Sequence, residues 1–346
     1  MGKWEPNQES FEKLINKDTD LSHSAQPYPF YLASALDQEI DSLITSFDDW
    51  VIESKWDGIR AQLVKRGSIC ELWSRGNDLI TTSYPDIIAK AESLPDGVYD
   101  GELLAWKQGK PLSFNSLQKR LQRKKVSTTL LTDCPCTLML YDVLEFEGRD
   151  IRKTPLSKRK TILHSLSTEF QISEILYFKS HSEITDFVNS ARSRLIEGVM
   201  IKHTQSHYKS GRVKGDWWKY KVAPLTLDLV VMYAQKGRGI RTGLYTDYTF
   251  GIWDGDTLVP ITKAYSGLTN EEIKEVDAII KKNVTEKFGP VRGVTPTIVM
   301  EIAFEGIHES SRHKSGLALR FPRIKRLRRD KKIEEANTLD DAKALL

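Results

Sequence analysis

The sequence predicts an α+β protein in two parts, antiparallel sheets with flanking helices over 1–223 and a small β-barrel over 224–346. Three observations carry that prediction. Short β-rich runs end repeatedly in glycine or asparagine turns, as antiparallel hairpins do. The helical patterns between them are few, brief and capped. After Pro224 the strands are interrupted by one helix only, over about 100 residues, which suits a closed barrel such as the OB fold.

In chain order, residues 1–29 are polar and predict loops with one short helix at 10–16. Val51 and Ile52 open a β segment in which Ile59, Ala61 and Leu63 alternate with Arg60, Gln62 and Val64. A turn at 65–68 and a second run at 69–73 complete a hairpin that ends at Ser74-Arg75-Gly76-Asn77-Asp78. Residues 84–94 read as a helix through Ile87, Ile88, Ala91 and Leu94, stopped by Pro95. A strand at 98–106 follows, then a basic helix at 114–124 and an apolar central strand at 137–145. Ser180 and Glu183 form a capping box ahead of Ile184, Phe187, Val188 and Ala191. Strands at 197–202 and 217–221 lead to Pro224. Beyond it come strands at 225–234, 245–253, 258–264 and 294–304, with a Gly/Arg loop at 236–243 and one helix capped by Thr269 and Glu272. There are no internal repeats and no low-complexity tracts.

The chain of 346 residues is long enough for two cores, and its 40% hydrophobic and 28% charged fractions are those of a globular protein. It holds no apolar run of ~18 residues and no apolar signal core, so the expectation is a cytoplasmic protein without a membrane span. Cys134-Pro135-Cys136 lacks a second Cys or His pair at zinc-finger spacing, so the three cysteines read as reduced thiols. The net charge of +4 is unevenly spread. Eight Lys/Arg stand between Arg320 and Lys332 against the single acid Asp330, and Lys119, Arg120, Arg123, Lys124 and Lys125 make a second cluster. Such clusters point to a polyanion partner.

Lys55 lies between Glu53 and Asp57 with Gly58 following. An ammonium within a sheet needs a carboxylate partner or an anionic ligand, so the tetrapeptide fits a structural ion pair as well as a covalent nucleophile. Other short motifs fail. Gly237, Gly239 and Gly243 are wrongly spaced for a dinucleotide loop, and His308 and His313 are one residue too far apart for a metalloprotease helix. No P-loop occurs, so any ATP chemistry needs another cradle.

A larger set stands together: Lys55-x-Asp57-Gly58-x-Arg60, Ser74-Arg75-Gly76, Asp100-Gly101-Glu102, Tyr141-Asp142, Glu197-Gly198-Val199-Met200-Ile201-Lys202, Trp218-Lys219-Tyr220-Lys221, and Arg320-Phe321-Pro322-Arg323 running to Asp330-Lys331. In order and spacing this set resembles the covalent nucleotidyltransferase superfamily and, within it, bacterial ATP-dependent DNA ligases, from about residue 29 to the end. The resemblance implies a nucleotidyltransferase (adenylation) domain followed by an OB-fold domain, with ATP and Mg²⁺ or Mn²⁺ as cofactors.

By that resemblance Lys55 is the nucleophile that captures AMP, and Arg60 and Arg75 hold ribose and phosphate oxygens. Glu102 and Glu197 hold the metal, with Glu102 also near the ribose. Tyr141, where many relatives carry phenylalanine, stacks on adenine. Glu53 lies near adenine and Asp57 orients the lysine. Lys219 and Lys221 alternate on one strand face and reach the same phosphate. Arg320, Arg323 and Lys331 orient pyrophosphate in the first step. The implied partner is nicked double-stranded DNA and the implied state a monomer. An RNA ligase or GTP-using capping enzyme is the alternative within the superfamily, and a non-catalytic nucleic-acid-binding module the alternative outside it. About fifty residues precede Lys55, too few for the helical DNA-binding domain of longer ligases, so the expectation is a small ligase or the core of a larger one.

Overall fold

A computed structural model describes residues 25–346 apart from Gln122 and Lys124; the helix expected at 10–16 lies outside the described residues. The chain divides after Val222 into two units.

The first unit runs through β1 (Trp50–Trp56), β2 (Ile59–Arg66), β3 (Ile69–Ser74), α1 (Pro85–Lys90), β4 (Gly97–Lys107), β5 (Cys136–Phe146), α2 (Leu156–Ser165), α3 (His181–Asn189), β6 (Ile196–His203) and β7 (Trp217–Lys221). Local chemistry explains several ends. Pro85 opens α1, where a missing N–H costs nothing, and a short 3-10 turn at Ala91–Ser93 carries the helix to its stop before Pro95. Only half of the expected capping box at α3 forms. Ser180 accepts from the Glu183 N–H, but the Glu183 carboxylate accepts from the Lys179 N–H instead of the Ser180 amide.

Two sheets result. β3, β2, β4 and β5 form one antiparallel sheet in that order, and β7, β6 and β1 pair in the other. The stretch around Lys55 is therefore not one strand: β1 and β2 belong to different sheets, and Asp57-Gly58 carries the chain across. Gly58 permits that crossing, since a Cβ there would stand 2.2 Å from the Leu103 carbonyl oxygen and 2.8 Å from Glu102 Cγ. β2 is buried on both faces. Ala61 and Leu63 join Leu103, Leu138 and Leu140 in a core covered by Ile87 of α1 and Leu163 of α2. Val64 faces the other way, packing with Val98, Leu144, Tyr31 and Trp217 between the sheets. On the far side of β1 and β6, Ile52, Val199 and Ile201 pack on Ile184 and Val188 of α3.

The basic helix expected at 114–124 is only Phe114–Gln118. Arg120 is wholly buried, bonded through both terminal nitrogens to Asp86 and to the carbonyls of Ser83 and Cys134. That guanidinium is therefore part of the interior and not of a cationic surface. All three cysteines are free thiols.

In the second unit the order is β8 (Leu225–Lys236), β9 (Tyr245–Asp254), β10 (Thr257–Ala264), α4 (Asn270–Lys282), β11 (Val284–Phe288), β12 (Val291–Val294), β13 (Val299–Phe304), β14 (Gly306–Glu309), β15 (Leu317–Arg320) and β16 (Arg323–Leu327). The strand expected at 294–304 is two, β12 and β13. They take successive parts of the long strand β8: Tyr233 to Gln235 pair with β12, Leu225 to Val230 with β13. β10, β9, β8, β13 and β16 are antiparallel neighbours in that sequence, and one backbone hydrogen bond, from the Ile324 N–H to the carbonyl of Ser266 just past β10, links the two ends. This is the OB-type barrel, filled by Leu229, Val231, Phe250, Ile261, Met300, Ile302 and Ile324 and plugged by Val276 and Ile280 of α4. The capping box of Thr269 and Glu272 forms as expected. No helix of the described residues is long and apolar enough to cross a membrane.

Candidate active site

Lys55 sits near the end of β1, opposite Gly198 of β6, which in turn lies opposite Lys221 of β7. Gly198 has φ 141°, and a Cβ on it would meet the Tyr220 carbonyl oxygen at 2.1 Å, so only glycine lets the three strands close here. The register slips between Ile196 and Gly198, and this bulge leaves Glu197 beside its cationic neighbours. Its Oε2 lies 2.5 Å from Lys55 Nζ and 3.2 Å from Lys221 Nζ. Burial works to raise the Glu197 carboxyl, but Lys55 and Lys221 outweigh it and hold the group below the ordinary glutamate range. Lys219 stands two residues from Lys221 on the same strand face. Burial, and then the nearby Arg212, Lys55 and Lys221, pull its ammonium below the usual lysine range, with Glu197 opposing. Cations crowded enough to lower Lys219 make a place for a polyanion.

The facing wall comes from β2 and β4. Arg60 lies opposite Glu102. Its guanidinium grips Asp100 at 3.1 and 2.6 Å and donates to the Tyr31 carbonyl at 2.5 Å and to the Tyr208 hydroxyl at 3.1 Å, and that hydroxyl in turn donates to Asp100 at 2.6 Å. Burial pushes the Glu102 carboxyl up to about 7; Lys55 and Arg60 pull it down, while Glu197 and Asp100 add to the rise. Glu102 and Glu197 are thus close enough to feel each other's charge. Two carboxylates beside a cationic pocket fit Mg²⁺, which is held by one or two carboxylates together with substrate phosphates.

Deeper in, Glu53 is 1% exposed and each of its oxygens meets a lysine: Oε1 the Lys160 ammonium and Oε2 that of Lys202 at 2.8 Å. Burial raises the Glu53 carboxyl, but the two lysines win and lower it. Lys202 Nζ lies 4.6 Å from the centre of the Tyr141 ring and 4.7 Å from that of Trp217. Arg60 stands 5.9 Å from the same Tyr141 ring. Half-buried Tyr141 thus has two cations within 6 Å of its ring centre.

Of the remaining expected residues, Arg75 belongs to the first unit and Arg320, Arg323 and Lys331 to the second. The Arg75 amide donates to the Arg60 carbonyl at 3.1 Å and its side chain is exposed. Arg320 and Arg323 belong to the barrel unit, on either side of the exposed Phe321, which has φ 51°. Arg323 pairs with Glu305 at 2.9 Å and Lys331 with Asp228 at 2.8 Å. Much of the basic run is neutralised within its own unit, since Lys325 and Arg326 share Glu301, Arg328 bridges Asp228 and Asp330, and Arg329 pairs with Glu275.

Sequence reasoning missed Lys160, Lys202, Arg159, Arg212 and Tyr208. Lys202 closes the 197–202 motif and its alternation with Met200 was a usable signal. Nothing local in Ser157-Lys158-Arg159-Lys160 marks Arg159 and Lys160 as interior.

Residues 30–221 match the family model of the ATP dependent DNA ligase domain, and residues 241–331 match that of the ATP dependent DNA ligase C terminal region. The "Probable DNA ligase" of Koribacter versatilis is 35% identical over 361 residues, covering 96% of this chain and 62% of its own length. That of Opitutus terrae is 38% identical over 330 residues, covering 85% of this chain and 32% of its own. The chain therefore spans less than two thirds of either relative. A solved structure of a Lig E DNA ligase shares the fold, with TM-score 0.61 over 88% of this chain and 100% of that one at 18% identity.

Proposed function

Since this chain belongs to the ATP-dependent DNA ligase family, we propose that it seals nicks in double-stranded DNA through an AMP carried on Lys55. The observation that carries this reading is the lysine itself, held at a sheet end by Glu197, which also pairs with Lys221, with Lys219 close enough to feel its charge.

Lys55, once its ammonium has lost a proton, attacks the α-phosphorus of ATP; a nitrogen–phosphorus bond forms as the bond to pyrophosphate breaks. Lys219 and Lys221 stabilise charge on the phosphate oxygens as they pass through the transition state. Tyr141 offers the face on which adenine stacks, and Arg60, fixed by Asp100, lies beside it. Glu102 and Glu197 hold Mg²⁺ or Mn²⁺, which neutralises phosphate charge when bound. AMP then passes from Lys55 to the 5′-phosphate of the nick, and the 3′-hydroxyl displaces it to close the strand. The protein acts as a monomer in the cytoplasm, where it meets duplex DNA.

Incubation with α-labelled ATP and Mg²⁺ tests the first step: the label must stay on the protein through denaturation and move to nicked DNA when that is added. Labelling by GTP in place of ATP moves the reading to a capping-type enzyme, and absence of label from both nucleotides removes the catalytic reading.

A further inference from the structure

Arg159 and Lys160 are consecutive residues of α2, 0% and 3% exposed. Successive helix residues point about 100° apart. Here that divergence sends them to different sheets. Arg159 grips Asp142 of β5 through Nε at 2.8 Å and Nη2 at 3.0 Å. Lys160 reaches Glu53 of β1, whose other oxygen is held by Lys202. The helix is itself anchored, since the Leu156 and Ser157 amides donate to the Ser206 and Thr204 carbonyls and Leu163 is buried against β5's core.

Each clamped acid adjoins a residue of the proposed chemistry. Glu53 is two positions from Lys55 on the same face of β1, and Asp142 follows Tyr141. We propose that Arg159 and Lys160 form a bracket that sets the separation of the two sheets, and with it the distance from the base-stacking ring of Tyr141 to the Lys55 amine. They are positioning residues for nucleotide transfer, acting through Asp142 and Glu53, and the proposal rests on the adenylation reading above.

The bracket acts on where the Lys55 amine stands relative to the Tyr141 ring. Small displacements of a nucleophile cost rate at saturation, even where ground-state affinity is kept. Removing one partner of a buried ion pair is costly when it strands the other charge, but in Lys160→Met the Glu53 carboxylate keeps Lys202, which limits that cost. The decisive variant is therefore Lys160→Met, with Lys160→Arg as its conservative partner.

Single-turnover labelling with ATP and Mg²⁺ reads the rate at saturating ATP and the concentration for half-maximal rate, while thermal unfolding reads Tm. The bracket predicts, for Lys160→Met, a saturating rate at least tenfold lower, half-saturation changed less than threefold, and Tm within a few degrees of wild type. Lys160→Arg should recover most of the rate. A wild-type saturating rate in Lys160→Met overturns the proposal. Should that variant not fold, Glu53→Asp keeps all three charges but shortens one arm, and is read by the same criterion. Failure of the wild-type protein to take label would sink the adenylation reading instead, so the two failures are distinguishable.

Discussion

Lys55 Nζ lies 2.5 Å from Glu197 Oε2, the shorter of two contacts that oxygen makes with lysines. An ammonium so paired is held in place until the proton leaves, and only the free amine can attack phosphorus. Lys55→Ala should therefore lose the denaturation-resistant label from ATP completely. Lys55→Arg should lose it too, because a guanidinium keeps its proton. Labelled Lys55→Ala protein would place the nucleophile elsewhere.

Gly198 joins the strands of Lys55 and Lys221 with φ 141° and no room for a Cβ. Gly198→Ala must move either its own strand or the Tyr220 carbonyl, whose displacement carries Lys219 and Lys221 with it. Loss of at least tenfold in labelling rate is expected, with a destabilisation of about 1–3 kcal/mol in denaturant unfolding. A variant equal to wild type in both would show that the bulge has slack.

Glu102 gives a pH dependence of stability. Its carboxyl lies at about 7 in the folded chain against an ordinary 4.5, because burial disfavours its charge. The native state thus holds a proton between those values that the unfolded state has released, so stability falls as pH rises through that window. Glu102→Gln removes the charge. In metal-free buffer it should raise stability at pH 8 by about 1–2 kcal/mol, with the gain fading toward pH 5. A gain of equal size at both pH values would contradict the assignment.

Glu53 holds two buried lysines. Glu53→Ala leaves both ammoniums without their carboxylate, and breaking such a pair costs roughly 3–5 kcal/mol. A fall in Tm of about 10 °C is expected. Adding Lys160→Met to that variant should restore part of the loss, since one uncompensated charge is then gone. Strict additivity of the two changes would mean the groups do not interact.

Duplex binding by cationic side chains releases counterions, so sealing of nicked DNA should weaken steeply between 50 and 200 mM salt. The proposed self-labelling by ATP would rest on half-buried groups around Lys55 and should change far less. Parallel salt dependence of the two steps would argue against electrostatic capture of DNA.

Local pattern gives most of the strands and turns and the candidate residues of the proposed chemistry. Alternation, glycine turns and caps act between residues a few positions apart, which is why β7 and the Thr269 cap stand where local pattern puts them. The order of short motifs likewise carried Lys55, Glu102, Tyr141, Glu197, Lys219 and Lys221 into one list. How those residues are held depends on contacts between distant parts of the chain. The tertiary structure put β1 and β2 in different sheets, turned Arg120 inward, and split the strand expected at 294–304 because β8 is long enough to pair with two partners. Glu53 meets lysines 107 and 149 positions away. Charge pairing over such separations depends on which sheet each strand joins, and no local preference of the chain encodes that.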